Sequence, residues 1–210
     1  GYQNIHKVAA TWGGAFLCDG VGLGKTYVGL MLLEKLAGYD RKRVLLLSPK
    51  SVHDAVWADE LSEKLGHLYG GNMGNIHALK HTDLINLDDN KMSFIMNYFD
   101  AIVIDEGHHF RNRQKNKRYA RLMQLINGGT RKKQVYFLTA TPINNDILDL
   151  YRMISLFTND NDNHFASVGI HNLRGHFKRM RQDLNRIMFG DEEFDGDVQS
   201  GFTSEDADER

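Results

Sequence analysis

A short apolar run, Ala15-Phe16-Leu17-Cys18, leads straight into Asp19-Gly20-Val21-Gly22-Leu23-Gly24-Lys25-Thr26, and a helical pattern of apolar residues begins at once afterwards. Strand, glycine-rich loop and helix in that order commit the chain to a crossover unit of parallel sheet, and the Gly-Lys-Thr ending makes the loop a phosphate cradle. Glycines let backbone N–H groups close around phosphate oxygens, and the new helix adds the positive end of its dipole. Lys25 brings a full charge to the β and γ phosphates, and the Thr26 hydroxyl is a ligand for Mg2+. The general pattern has glycine where Asp19 stands, which is its one departure. An ordinary glycine-rich turn is the competing reading, and the strand-loop-helix context weighs against it.

The chain has 210 residues, 41% hydrophobic and 25% charged, enough for one good core and ordinary for a soluble globular domain. No run reaches bilayer-spanning length and no charged-then-apolar start resembles a signal peptide, so no membrane partner is expected. A single cysteine, Cys18, excludes a disulfide framework within the chain and suits a reducing, cytoplasmic compartment; its place in the strand predicts a packing role. Because the chain opens on Gly1 and the loop follows almost immediately, a piece of a longer protein is expected. The formal charge of −1 hides an asymmetry: residues 191–210 carry −8, which leaves +7 on residues 1–190 and favours a polyanionic partner for the body. The acidic stretch lacks apolar periodicity, so disorder in isolation is expected, with either solubility or folding against another part of the protein as its use.

Apolar runs alternate with amphipathic segments, which predicts an α/β fold with a doubly wound, mainly parallel sheet. Val28, Met31, Leu32 and Leu36 form a helical stripe that Gly38 would stop. Val44–Ser48 reads as a buried strand ended by Pro49, and Ser51 with Asp54 as the start of a helix carrying Val52, Ala55, Val56, Leu61 and Leu65. Ile76–Leu79, Ala101–Asp105 and Val135–Thr139 are three further strands. Ile147, Leu150, Tyr151, Ile154 and Phe157 trace another amphipathic helix, and 171–189 reads as a basic helix with Leu173, Phe177, Leu184 and Met188 apolar. The expected division is a lobe over 1–157, a basic extension over 158–190 and the acidic tail.

Asp105-Glu106 closes a hydrophobic strand and supplies what a phosphate loop still lacks. One acid can share Mg2+ with Thr26, and the next can orient or deprotonate a water that attacks the γ-phosphate. The expectation is that this strand lies beside the loop strand, bringing the carboxylates to the phosphates. The basic run Arg111, Arg113, Lys115, Lys117, Arg118 and Arg121 either tracks a phosphate backbone or is a solvated helix face. Histidines 77, 81, 108 and 109 have no partners at zinc spacing, and the scattered methionines 31, 92, 96, 123 and 153 read as core filler.

Together these motifs resemble the superfamily-two helicases and translocases, and within them the Snf-type DNA translocases, over most of residues 2–157. Asp19 through Thr26 is similar to that family's first motif, where Asp is the regular first residue and Gly20 replaces Glu. Leu47-Ser48-Pro49-Lys50-Ser51, with Trp57 downstream, resembles the motif that touches a nucleic-acid strand. Asp105-Glu106-Gly107-His108, continued by His109-Phe110-Arg111-Asn112, resembles the Asp-Glu-Ala-His box with its basic extension, Gly107 standing as a mild change for Ala. Leu138 through Asn145 resembles the third motif.

The resemblance implies a RecA-like P-loop lobe of three α/β/α layers using ATP and Mg2+. Gly22, Leu23, Gly24, Lys25, Thr26 and Tyr27 would bind nucleotide, and Gln3, following Tyr2, would read adenine. Lys25, Asp105 and Glu106 would be catalytic, His108, Thr139 and Thr141 would couple nucleotide state to nucleic-acid grip, and Ser48, Lys50, Arg111 and Asn112 would touch nucleic acid. Implied partners are DNA, with duplex favoured, and a second RecA-like lobe whose arginines complete the site. A restriction-type or RNA-directed motor, and a nucleotide-dependent binding module without turnover, remain alternatives.

Overall fold

Five parallel strands form one sheet in the order β1-β5-β4-β2-β3 in a computed structural model that describes residues 2–18, 24–70, 74–111, 117–144 and 146–189. The strands are β1 (Gly14–Leu17), β2 (Val44–Ser48), β3 (Ile76–Lys80), β4 (Ala101–Asp105) and β5 (Gln134–Leu138). Around them run α1 (Tyr2–Trp12), α2 (Lys25–Glu34), α3 (Lys50–Val52), α4 (Ala58–Leu65), α5 (Asp83–Asn86), α6 (Asp89–Tyr98), α7 (Lys117–Asn127), α8 (Leu148–Thr158) and α9 (Leu173–Phe189). The acidic segment 191–210 lies outside the described residues.

Strands buried on both faces explain the unbroken apolar runs, because side chains alternate across the sheet. Val44, Leu46, Ala101, Val103, Tyr136 and Leu138 face one layer with α1, α2 and α4, where Ile5, Ala9, Leu32, Leu33, Trp57 and Leu61 are buried. Leu45, Leu47, Ile102, Ile104, Val135 and Phe137 face the other, with Met92, Ile95, Leu122, Leu125, Met153 and Leu156. The result is the α/β/α sandwich that the alternating pattern implies.

Several local expectations give way to packing. The strand β4 does not lie beside β1: β5 sits between them, because the crossover from β1 to β2 leaves room for two strands and both later ones fill it. Met31 is 48% exposed, since α2 turns Leu30, Leu32 and Leu33 inward instead. Gly38 does not stop that helix; it lies inside a π turn, Lys35–Tyr39, and the left-handed residue after it is Arg41 with φ 55°. The next helix begins at Lys50 with Pro49 at its cap, so Ser51 and Asp54 form no capping box, and Ala55 is exposed. Cys18 is exposed just past β1 rather than packed.

Four residues of the stripe read on α8 face α9: Ile147, Leu150, Tyr151 and Ile154, with Leu148, pack against Leu173 and Phe177, whereas Phe157 packs on the sheet side. The opposite side of α8, Met153 and Leu156, covers the sheet. Only the first two turns of α9 are anchored in this way. Leu184 and Met188 are exposed, against expectation.

Candidate nucleotide-binding site

Parallel strands put all their C-terminal ends on one edge, and every described residue with predicted chemistry is at or near it, Gln3 excepted. Gly24 is the cap of α2 at φ 80°, ψ 26°, a left-handed conformation that suits glycine, and Lys25 and Thr26 open the helix. The N–H groups of that first turn and the helix dipole make this end receptive to phosphate. Tyr27 is 63% exposed with the Lys64 ammonium 4.7 Å from its ring centre. Gly22 and Leu23 lie outside the described residues, as does Asn112.

Asp105, the last residue of β4, is buried to 6% exposure with both oxygens engaged from inside the protein. The Trp57 indole N–H donates to Oδ2 at 2.7 Å, and the backbone N–H of Glu106 donates to Oδ1 at 2.9 Å. Burial raises the pKa of this carboxyl from its usual value; the Trp57 bond opposes the rise, the Glu106 charge adds to it, and the charge of Lys25 opposes it. That Lys25 acts on Asp105 electrostatically places the two in one local field.

Glu106 then turns the chain in a left-handed conformation, φ 49°, ψ 48°. Its Oε2 lies 3.0 Å from Nδ1 of His108, and the same nitrogen is 3.3 Å from Oγ1 of Thr139. A carboxylate only accepts, so the His108 proton belongs on Nδ1. Burial, and next the charge of Arg111, lower the His108 pKa and favour the neutral ring. Thr139 is fully buried; its N–H donates to the carbonyl of Leu17 at 3.1 Å, and its Oγ1 accepts the Thr141 N–H at 3.3 Å. The strand inserted between β1 and β4 is therefore the one that ties the loop strand to the acid box.

Gly107 is less neutral than its small size suggests. A Cβ there would stand 2.7 Å from Cδ1 of the buried Phe137 ring, so alanine would require movement of the core.

The residues implied in nucleic-acid contact divide. Lys50 is exposed beside the strand edge. Ser48 is fully buried, its hydroxyl 3.2 Å from Nδ1 of His53. Arg111 approaches Asp149 at 4.0 Å, and Arg121 is held by the Leu87 carbonyl and Gln124 rather than facing open solvent. Gln3 lies exposed in α1. Two residues carry more than their sequence signal suggested. Trp57 reaches Asp105 from the π turn before α4, and Asp149, 6% exposed on α8, gathers Arg111, Arg152 at 3.4 Å and the Asn144 N–H at 3.4 Å. An acid set within the apolar pattern of α8 was the available clue to the second.

Known proteins resemble this chain in sequence and fold. Residues 5–150 match the model of the DEAD/DEAH box helicase family. An uncharacterised ATP-dependent helicase of Bacillus subtilis (strain 168), YqhH, is 33% identical over 152 residues, spanning 69% of this chain and 26% of that protein. The probable ATP-dependent DNA helicase CHR23 of Arabidopsis thaliana is 29% identical over 163 residues, 66% of this chain and 14% of the relative. The chain thus spans a third or less of the length of the curated relatives it matches. Among solved structures, the Sulfolobus solfataricus SWI2/SNF2 ATPase core in complex with dsDNA has the same fold, with a TM-score of 0.63 at 20% identity over 89% of this chain and 41% of that one. The glycine loop, the acid box and the threonine strand thus fall in the region matched to known helicases, and the chain belongs to the DEAD/DEAH box helicase family.

Proposed function

We propose that the chain is the ATP-binding lobe of a DNA translocase, coupling ATP hydrolysis to movement on duplex DNA. The observation that carries the reading is the junction of Asp105, Glu106, His108 and Thr139 at the strand ends, in the electrostatic field of Lys25 at the start of α2. Lys25 and the first-turn N–H groups would hold phosphates, with Gly22, Leu23 and Tyr27 completing the nucleotide contacts and Gln3 reading adenine. Thr26 and Asp105 fit Mg2+, a hard cation that takes one or two protein oxygens and shares the rest of its shell with phosphate and water. When bound it would neutralise charge on the β and γ phosphates. Glu106 takes the proton of the attacking water, and His108 holds Glu106 in register with Thr139, so that a change at the phosphates reaches Thr141 and the strand edge.

Lys50, Ser48, Arg111 and Asn112 belong to the DNA-facing side in this reading. The Arabidopsis relative is named a probable ATP-dependent DNA helicase and the archaeal core was solved in complex with dsDNA, which supports DNA over RNA. Their greater length supports a second lobe that closes over the nucleotide and supplies arginines. The setting would be a reducing compartment that holds DNA; no described helix is long and apolar enough to cross a membrane.

The test is the ATPase rate of the full-length protein with duplex DNA, single-stranded DNA and RNA. Duplex should stimulate most, and a stronger response to RNA would overturn the assignment. Glu106→Gln should lower turnover by about 10²–10⁴ while nucleotide binding persists; unchanged turnover would remove Glu106 from its role.

A further inference from the structure

The side chain in contact with Asp105 comes from outside the acid box and outside the phosphate loop. Trp57 is fully buried, yet it spends its one polar atom on Oδ2 of Asp105 at 2.7 Å. Three features of the chain converge on that contact. First, the helix carrying Trp57 is interrupted by a π turn, His53–Trp57, between α3 and α4. A π turn inserts an extra residue into the helical register and re-aims the side chains after it; such turns are rare and recur at functional sites. Second, the far edge of the indole passes α2 where that helix has Gly29: a Cβ at Gly29 would stand 2.8 Å from Cη2 of Trp57 and 3.0 Å from Cδ1 of Leu138. The helix that opens with Lys25 and Thr26 is bare at the point the ring must cross. Third, the bond to Trp57 and the bond from the Glu106 N–H take one lone pair on each carboxylate oxygen, which fixes the plane of the group and leaves its remaining lone pairs free.

We propose that Trp57 is a positioning residue for the magnesium site: its indole N–H locks the rotation of the Asp105 carboxylate while its ring, seated on Gly29, sets the distance between that carboxylate and Thr26 on α2. The inference rests on the reading of Thr26 and Asp105 as the magnesium pair. A neutral donor held in a dry environment suits this task, because it orients an anion without cancelling the charge the metal requires. Partners in this position around metal ligands are worth about 10- to 100-fold in metal affinity.

The test measures binding by the 210-residue chain of a fluorescent ATP analogue, with Mg2+ and with EDTA. Trp57→Phe keeps the ring on Gly29 and removes the N–H. The expected result is that the magnesium-dependent gain in affinity shrinks by about 10-fold, with metal-free affinity little changed. An equal loss in both conditions, or no loss in either, overturns the proposal. Should Trp57→Phe fail to fold, Trp12→Phe leaves Trp57 as the sole tryptophan. Its emission should then change on adding Mg·nucleotide and stay constant with metal-free nucleotide, and the same response to both overturns the proposal. Wild-type chain that binds nucleotide equally with and without Mg2+ overturns the magnesium pair itself, and Trp57 with it. A preserved wild-type gain with an unaffected variant overturns Trp57 alone.

Discussion

Glu106 stands in the left-handed region, φ 49°, where a residue with a Cβ meets its own carbonyl. Such strain persists only where surrounding contacts impose it, and here the Asp105 bond before it and the buried Gly107 after it do so. Stability and activity should therefore part company at this position. Glu106→Gly should be more stable than Glu106→Gln by about 1 kcal/mol, read from urea unfolding, although both lose turnover. His81 provides a second separation. It is 2% exposed with Nε2 unpartnered, packed edge-on against His109 and Phe110, and burial above all, aided by the His109 charge, pushes its pKa down to about 3. The folded ring stays neutral where the unfolded one, near pH 6.5, takes a proton. Stability is thus unaffected above about pH 6.5 and falls as pH drops from there toward 3; by pH 5 the loss is about 2 kcal/mol. His108 and His109, also lowered by burial, add to the same trend. Urea midpoints at pH 7 and pH 5 should differ in the wild type and differ less in His81→Phe. Lys25, Asp105 and Glu106 stood out in the sequence as candidates because phosphate chemistry demands those residue types at that spacing. Trp57 and Asp149 were not, because they act by bonds from helices 48 and 38 residues distant from Asp105 and Arg111, respectively, a relation that only folding creates.

At the scale of elements, each of the five predicted strands forms within a residue or so of its expected span, since an unbroken apolar run of strand length has few other ways to be buried. The helices were harder to read. The expected stripe of α8 splits, with Ile147, Leu150, Tyr151 and Ile154 facing α9 and Phe157 the sheet, because two buried faces blur a single period. The basic helix α9 shows the opposite failure: Leu173 and Phe177 pack, while Leu184, Ile187 and Met188 extend the same pattern into solvent. A period says which residues share a face and nothing about whether a neighbour covers it. This difference predicts two distinct responses within one helix. Phe177→Ala should cost about 3 kcal/mol, because its ring closes the cluster with Leu148 and Tyr151, whereas Leu184→Ala should change stability by less than about 0.5 kcal/mol. Chemical unfolding of the two variants checks it, and hydrogen exchange should show the second half of α9 opening well before the first.

For the whole molecule, the alternation of elements revealed a parallel sheet but not its order. Both β1-β4 adjacency and the observed insertion of β5 satisfy the same pattern, and only the second lets Thr139 bond to Leu17 on one side and meet His108 on the other. The strand between the phosphate loop and the acid box thereby bonds to both. At the open strand edge Asp105 and Glu106 gather beside His108, while the neighbouring Arg111 is drawn to Asp149. Stabilising charge on the transferring phosphoryl group is the largest catalytic contribution in such chemistry, and an arginine supplied from elsewhere is worth about 10³–10⁵ in rate. The 210-residue chain should therefore bind Mg·ATP yet hydrolyse it at least about 10³-fold more slowly than the full-length protein on duplex DNA, with no response to added DNA. Single-turnover measurements on both proteins decide this, and a DNA-stimulated rate from the 210 residues alone would show that the lobe completes its own site.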